Sequence, residues 1–364
     1  MATAIVVVIF AAAAMMTRNF IVNRTYTSYT VESEADGGDS VSSYEYADGF
    51  VVRYSQDGAS LIDKNLQTIW TSSFTMTDPR VDVRGGQIMI YDCLGNSIRI
   101  FNEKEQVAEI TTSLPILKAS VSKKDTAAVL LRDGEKVNLV YYAKDGSEIA
   151  AGESSMKNSG YPVSLSLSDD GKLLAVSYVT AADGTAGSLI RIYNFGSAGK
   201  DRENHVVGEF TFKGTVAPEV RYLEGNRCVV FRDDGFVLIN GASDPSVSQE
   251  VTIREDICST FCDESNIGLV VRSEDKDNKY EMQVYSGTGR LKVSKGIDIS
   301  YDRVRVCGNQ VIISGSTEFE IWSTGGVCRF AGRLKEGNIT DALKIGSNRF
   351  LIISDRKMEV IALK

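Results

Sequence analysis

The chain has 364 residues, 43% hydrophobic and 24% charged, with 40 Lys and Arg against 48 Asp and Glu for a net charge of −8. That is enough apolar material for a large core. It holds no basic patch of the kind that neutralises a phosphate backbone, so nucleic acid is not an expected partner.

Residues 2–16, ATAIVVVIFAAAAMM, carry no charge. As a helix this run spans roughly 22 Å, short of the roughly 30 Å hydrocarbon core. Phe20, Ile21 and Val22 lengthen it only if Arg18 snorkels. The expected reading is an N-terminal transmembrane helix within residues 1–22, with residues 2–22 in the membrane. A signal peptide with an Ala-rich cleavage region and a buried core helix are the competing readings. No Lys or Arg precedes the run, while Arg18 and Arg24 follow it, which taken literally keeps the body in the cytoplasm. A single-pass anchor ahead of a polar all-β body instead favours export, and an extracytoplasmic body is the expectation.

Residues 23–42 read as a closing strand and a linker. Residues 25–31, TYTSYTV, are β-branched or aromatic and read as one isolated strand, and residues 32–43 are rich in Gly, Asp and Ser. Residues 43–364 then repeat one unit. It is clearest at residues 160–195, which read GYPVSLSLSDDGKLLAVSY, a polar insert, and SLIRIYNF. Val163, Leu165 and Leu167 alternate with Ser164, Ser166 and Ser168, the period of a half-buried strand. Asp169, Asp170 and Gly171 form a turn, and residues 173–176 are apolar throughout, which predicts a strand buried on both faces.

The turn after the first strand recurs at Gly49, Gly86, Asp125, Gly171, Gly225, Ser265, Gly308 and Ser347, at intervals of 37, 39, 46, 54, 40, 43 and 39 residues. This is the period of a four-stranded propeller blade. Helical periodicity is absent after the N-terminal run. The last unit has three strands, and the isolated strand before residue 32 can supply its fourth, leaving no open edge between first and last blades. The fold expected is all-β: an eight-bladed β-propeller of four-stranded antiparallel blades, its ring closed by an N-terminal strand. Seven blades remain open if one unit is misread. Connections are longest in the fourth unit, at residues 180–187 and 197–204.

The N-terminal run, the first-unit pattern YSQDGASLIDKNLQTIWTSSF and the GYPV and DDGKLLAVSY motifs followed by IRIYNF together resemble a bacterial family of membrane-anchored, WD40- and quinoprotein-like β-propeller proteins built on a domain of unknown function. The resemblance covers nearly the whole chain. It implies a single-pass anchor with the propeller outside the membrane, and it brings no catalytic residues. The missing basic start departs from that pattern.

Candidate chemistry is sparse. Asp63 to Trp70 resembles the Asp…Trp blade motif of quinoprotein dehydrogenases, but Trp70 and Trp322 are the only tryptophans, and both read as packing residues on outer strands. Glu274, Asp275, Asp277 and Asn278 resemble a calcium loop without its Gly, and read as a solvated hairpin tip. His205, the only histidine, sits at the start of a predicted outer strand. Asp169/Asp170 and Asp233/Asp234 read as turn residues. Cys93, Cys228, Cys258, Cys262, Cys307 and Cys328 lack a zinc spacing and read as small buried hydrophobes. The expectation is no catalytic, cofactor-binding or metal-binding residue and no cofactor. The function expected is a non-enzymatic scaffold that binds a protein or an envelope polymer through a propeller face. The alternative is a propeller enzyme acting on a glycan or small molecule at the central channel.

Overall fold

Short apolar runs separated by Gly- and Asp-rich turns are too brief for helices and fold as hairpins. The computed structural model describes residues 23–36, 41–182 and 184–364, so the membrane segment expected at residues 2–22 lies outside the described residues. Among the described residues, no helix is long and apolar enough to cross a membrane. Among the described residues, thirty-two strands form eight sheets of four, and every strand pair described is antiparallel. Seven sheets run first to fourth strand in chain order; the eighth takes Tyr29–Asp36 as its fourth strand, paired with Lys357–Leu363.

Two compact units divide the chain. The larger, Ser40–Thr260 with Ser286–Arg290, holds the first five sheets. Within it, each apolar cluster is built from two consecutive sheets. Met89, Ile98 and Ile100 of the second sheet pack with Val121, Val129 and Leu131 of the third. Leu130 and Leu139 of the third pack with Leu165, Leu174 and Val176 of the fourth. Second strands are covered on both faces: Leu173, Leu174, Ala175 and Val176 are at most 1% exposed. Burial of each such side chain contributes about 1.5–3 kcal/mol before entropy is charged against it. The smaller unit holds Phe261–Tyr285, Leu291–Lys364 and the N-terminal strand. There Tyr29 of that strand meets Phe330 edge-on at 5.9 Å, which packs the first described strand against the fourth strand of the seventh sheet, Cys328–Arg333.

A register shift recurs between third and fourth strands, at Ile62, Phe101, Tyr142, Tyr193, Ile239, Tyr285 and Trp322. Seven sheets thus carry a bulge at one equivalent place, the device that adds local twist.

Four expectations need correction. The N-terminal strand runs Tyr29–Asp36 rather than over residues 25–31, because its pairing with the last strand extends it into the segment read as linker. Residues 180–187 are not a loop: Thr180 pairs with Gly187 and Ala181 with Ala186, continuing the hairpin. Ser166 of Tyr161–Leu167 does not face water, and Ser164 is half-buried. Ser166 is 1% exposed, and its neighbour Ser168 is fully covered. Trp322 lies on Glu318–Ser323, a third strand, at the bulge position. A one-turn helix, Met156–Ser159, and a 3-10 turn, Glu203–His205, also interrupt the strands.

Candidate functional site

The polar residues of the first strands are consumed by one another. In the larger unit Asp82 Oδ2 accepts from the Ser120 hydroxyl and the Val121 amide, both at 2.8 Å. Ser120 Oγ accepts from the Leu167 amide at 3.2 Å. Ser164 and Ser166 accept from the Val220 and Tyr222 amides at 3.1 and 3.0 Å. Side chains of one first strand therefore bind the main chain of the next, across four sheets. Arg221 Nη1 meets Asp82 Oδ1 at 3.0 Å, and Asp169 holds Arg84 at 2.7 Å and Lys123 at 3.1 Å. In the smaller unit, Asp341, 2% exposed, is held by Arg303 at 2.6 Å and Arg305 at 2.9 Å. A carboxylate whose oxygens are all engaged by fixed donors is a poor general base.

A different arrangement lies between the third and fourth sheets, where a groove of about 530 Å³ opens. One wall is the fourth strand of the third sheet, Glu148–Ser155, and the one-turn helix that follows it. The other wall is the fourth sheet, capped by the connection into Val206–Lys213. Gly152 stands opposite Leu139 in the strand register, and the missing side chain leaves room there. Arg191 crosses the floor, bonded to Glu209 and, at 2.7 Å, to the Ser159 hydroxyl. Beneath it, Tyr178 and Tyr193 share a buried hydroxyl contact of 2.9 Å. Burial, reinforced by the neighbouring Tyr178, pushes the Tyr193 phenol well above its ordinary range, so it stays neutral.

The groove rim carries open hydrogen-bonding groups. The side chains of Ser154, Asn158, Arg202 and Glu203 make no hydrogen bond or ion pair with other described residues. Asn204 and His205 on the capping turn both hold a left-handed backbone, with φ of 51° and 61°. Such conformations cost about 1–3 kcal/mol each and persist where packing holds them. Here the His205 ring lies 5.6 Å from Phe195, and its Nδ1 is 3.2 Å from the Gly199 carbonyl.

The other residues singled out in the sequence do not converge. Trp70 stacks on Phe101 at 4.6 Å and donates to the Asn102 carbonyl, a packing contact between the first two sheets. Asp63 caps its own turn through the Asn65 and Gln67 amides. Asp275 caps the exposed tip that carries Asp277 and Asn278. Asp170 bonds the Lys172 amide of its own turn, whereas Asp233 bonds the Val216 amide of a separate connection and Asp169 and Asp234 pair with arginines, roles beyond turn formation. The six cysteines are thiols rather than disulfides, and only Cys228 is buried; Cys258 is exposed, so burial does not account for the set. Among the described residues, no group of three or more His, Cys, Asp or Glu is placed to hold a metal. The groove was missed in the sequence. Its one signal was the length of the fourth unit, whose connection over residues 197–204 becomes the cap.

No curated protein matches the chain. Solved structures do match in fold. BamB from Moraxella catarrhalis aligns over 92% of this chain and all of its own, at 11% identity and a TM-score of 0.55. Sqt1 from Saccharomyces cerevisiae covers 93% of this chain and 98% of its own, at 12% identity and 0.57. The computationally designed Ika8 protein covers 93% and 100%, at 11% identity and 0.58. The eight four-stranded antiparallel sheets are accordingly the blades of an eight-bladed β-propeller. A family profile matches residues 22–363, and the chain belongs to that family, the family of unknown function DUF5711.

Proposed function

We propose that the chain is a membrane-anchored, extracytoplasmic scaffold that binds a protein or envelope polymer through a propeller surface and performs no catalysis. The observation that carries this reading is the stapling of the first strands. Asp82, Ser120, Ser164 and Ser166 spend their hydrogen-bonding capacity on neighbouring strands, which makes a rigid platform rather than a reactive centre. A rigid platform loses little entropy on binding, and the open polar groups sit on its outside, at the groove. The anchor rests on the apolar run at residues 2–16.

Two experiments test it. A C-terminal tag on the full chain is lost when intact cells are shaved with protease if the body is exported; protection until lysis overturns the extracytoplasmic placement. A photo-cross-linking amino acid at Tyr161, 47% exposed, or Leu94, 59% exposed, should give a discrete adduct in living cells. Absence of any adduct from these and further surface positions, together with turnover of a small molecule by the purified chain, overturns the scaffold reading.

A further inference from the structure

We propose that the end of the smaller unit at which the chain enters it lies on the lipid headgroups, an inference that rests on the anchor in the reading above and says which way the unit faces. From residue 23 onward the chain is held to the seventh and eighth sheets. The Ser323 hydroxyl bonds Asn23 Oδ1 at 3.3 Å. Arg329, 3% exposed and unopposed at the bulge of the seventh sheet, donates through Nε to the Arg24 carbonyl at 3.1 Å and through Nη2 to the Tyr26 hydroxyl at 3.2 Å. The Tyr26 amide donates in return to the Arg329 carbonyl at 2.7 Å. The Thr27 and Ser28 amides then reach the Lys364 carbonyl at 3.1 and 3.2 Å, and Tyr29–Asp36 follows as a sheet strand. Residues 23–28 are thus fastened to the wall of the unit rather than trailing from it.

Crossing a bilayer takes about 20 residues, and residues 2–22 supply hardly more. No linker remains between such an anchor and Asn23, whose side chain touches Ser323. Ser323 opens the turn 323–327, and strand register puts it level with Gln310. Gln310 donates to the Ser347 carbonyl of the eighth sheet, and Asn266 of the sixth donates to the Gly308 carbonyl. Residues 263–266, 307–310, 323–327 and 345–349 therefore share one end of the unit, the end set against the lipid. The far end carries residues 273–279, 298–302, 315–317, 334–338 and 355–356. The charges differ between the two. At the entry end Arg24, Lys292 and Lys344 stand against Asp263 and Glu264, and Asp263 is already bonded to the Gly308 amide. At the far end, residues 273–279 and 298–302 hold five carboxylates against two lysines, and the other connections are balanced. An anionic headgroup surface favours the first end over the second. Tyr26, flanked at 5.3 Å by the guanidiniums of both Arg24 and Arg329, is an amphipathic ring suited to headgroup level.

The test reconstitutes the full chain in phosphatidylcholine–phosphatidylglycerol vesicles, with a benzophenone amino acid at exposed Ser347 of the entry end, or at exposed Lys276 or Arg356 of the far end. Carbonate washing first reports whether the chain is anchored. The far end stands about one strand length, roughly 20 Å, further from the lipid, so lipid adducts measured by mass spectrometry after illumination should be about tenfold more frequent at Ser347. Equal adducts at the two ends, or more at the far end, overturn the inference, as does their absence from Ser347 in chain that resists carbonate. Chain released by carbonate overturns the anchor reading itself, and this inference with it. Arg329→Gln should free residues 23–28, giving them about 20 Å of reach, so the contrast between the ends should fall about threefold and trypsin should cut faster at Arg24. An unchanged contrast with unchanged cutting overturns the part given to Arg329.

Discussion

Tyr178 and Tyr193 place two hydroxyls in contact at 2.9 Å, at 1% and 4% exposure. Each serves the other in a place water does not reach. Tyr193→Phe should strand the Tyr178 hydroxyl and cost about 1–3 kcal/mol. The double change to Phe removes donor and acceptor together and should cost less than the sum of the two single changes. Urea unfolding of the four chains of this cycle measures the coupling. Additive losses would mean that the two hydroxyls have other partners. Neither tyrosine is marked in the sequence, where SYVT and RIYNF read as ordinary strand text. Pairing requires the register of Tyr178 with Leu189, which places Tyr193 only four positions further along the neighbouring strand.

At the scale of the strand, alternation tells which side chains share a face but not what that face meets. The run SLSLS in Tyr161–Leu167 has the period of a half-exposed strand, yet its serines lie against the first strand of the next sheet. A hydroxyl is short enough to reach a neighbouring amide and small enough to let two strands approach. The sequence therefore reported the period correctly and the environment wrongly. Ser166→Ala should leave the Tyr222 amide, in a residue 3% exposed, without its acceptor, for about 1–3 kcal/mol. Ser147→Ala, at an exposed turn, should change stability by about 0.5 kcal/mol or less. Native-state hydrogen exchange gives a local reading: the Tyr222 amide should lose protection in Ser166→Ala beyond the global loss. Unchanged exchange there would show that the hydroxyl is a bystander.

At the scale of the whole chain, the eight-blade architecture was legible because it repeats. A turn every 37 to 54 residues survives errors in any one unit, and the three-strand last unit called for a strand from the N-terminus. The groove does not repeat. It depends on one glycine, one long connection and two left-handed residues meeting in space, and no spacing in the sequence brings them together. Burial across many sheets also sets how the molecule responds to alkali. Tyr91, Tyr193 and Tyr222, in three sheets of the larger unit, have phenols pushed up by burial, with Asp82, Tyr178 and Cys228 respectively adding to it. Between about pH 10, where an unfolded tyrosine ionises, and the raised folded values, the folded chain holds protons that the unfolded chain has released. Stability should therefore be level below about pH 10 and fall as the pH rises above it. Lys292 and Lys344 in the smaller unit act with the opposite sign. Burial lowers both, so the unfolded chain binds more protons until about pH 10.5, and stability gains as the pH climbs through that window. In that same unit burial pushes the Cys328 thiol up to about 11 and raises the Tyr29 phenol, which act with the buried tyrosines, so loss of stability above about pH 10 is the expected outcome for the chain. Phenolate absorbance at about 295 nm, followed with near-ultraviolet circular dichroism from about pH 9 to 12, checks this. A steep absorbance step should coincide with loss of the dichroism. Gradual ionisation with the dichroism intact would mean that the buried phenols reach solvent without unfolding.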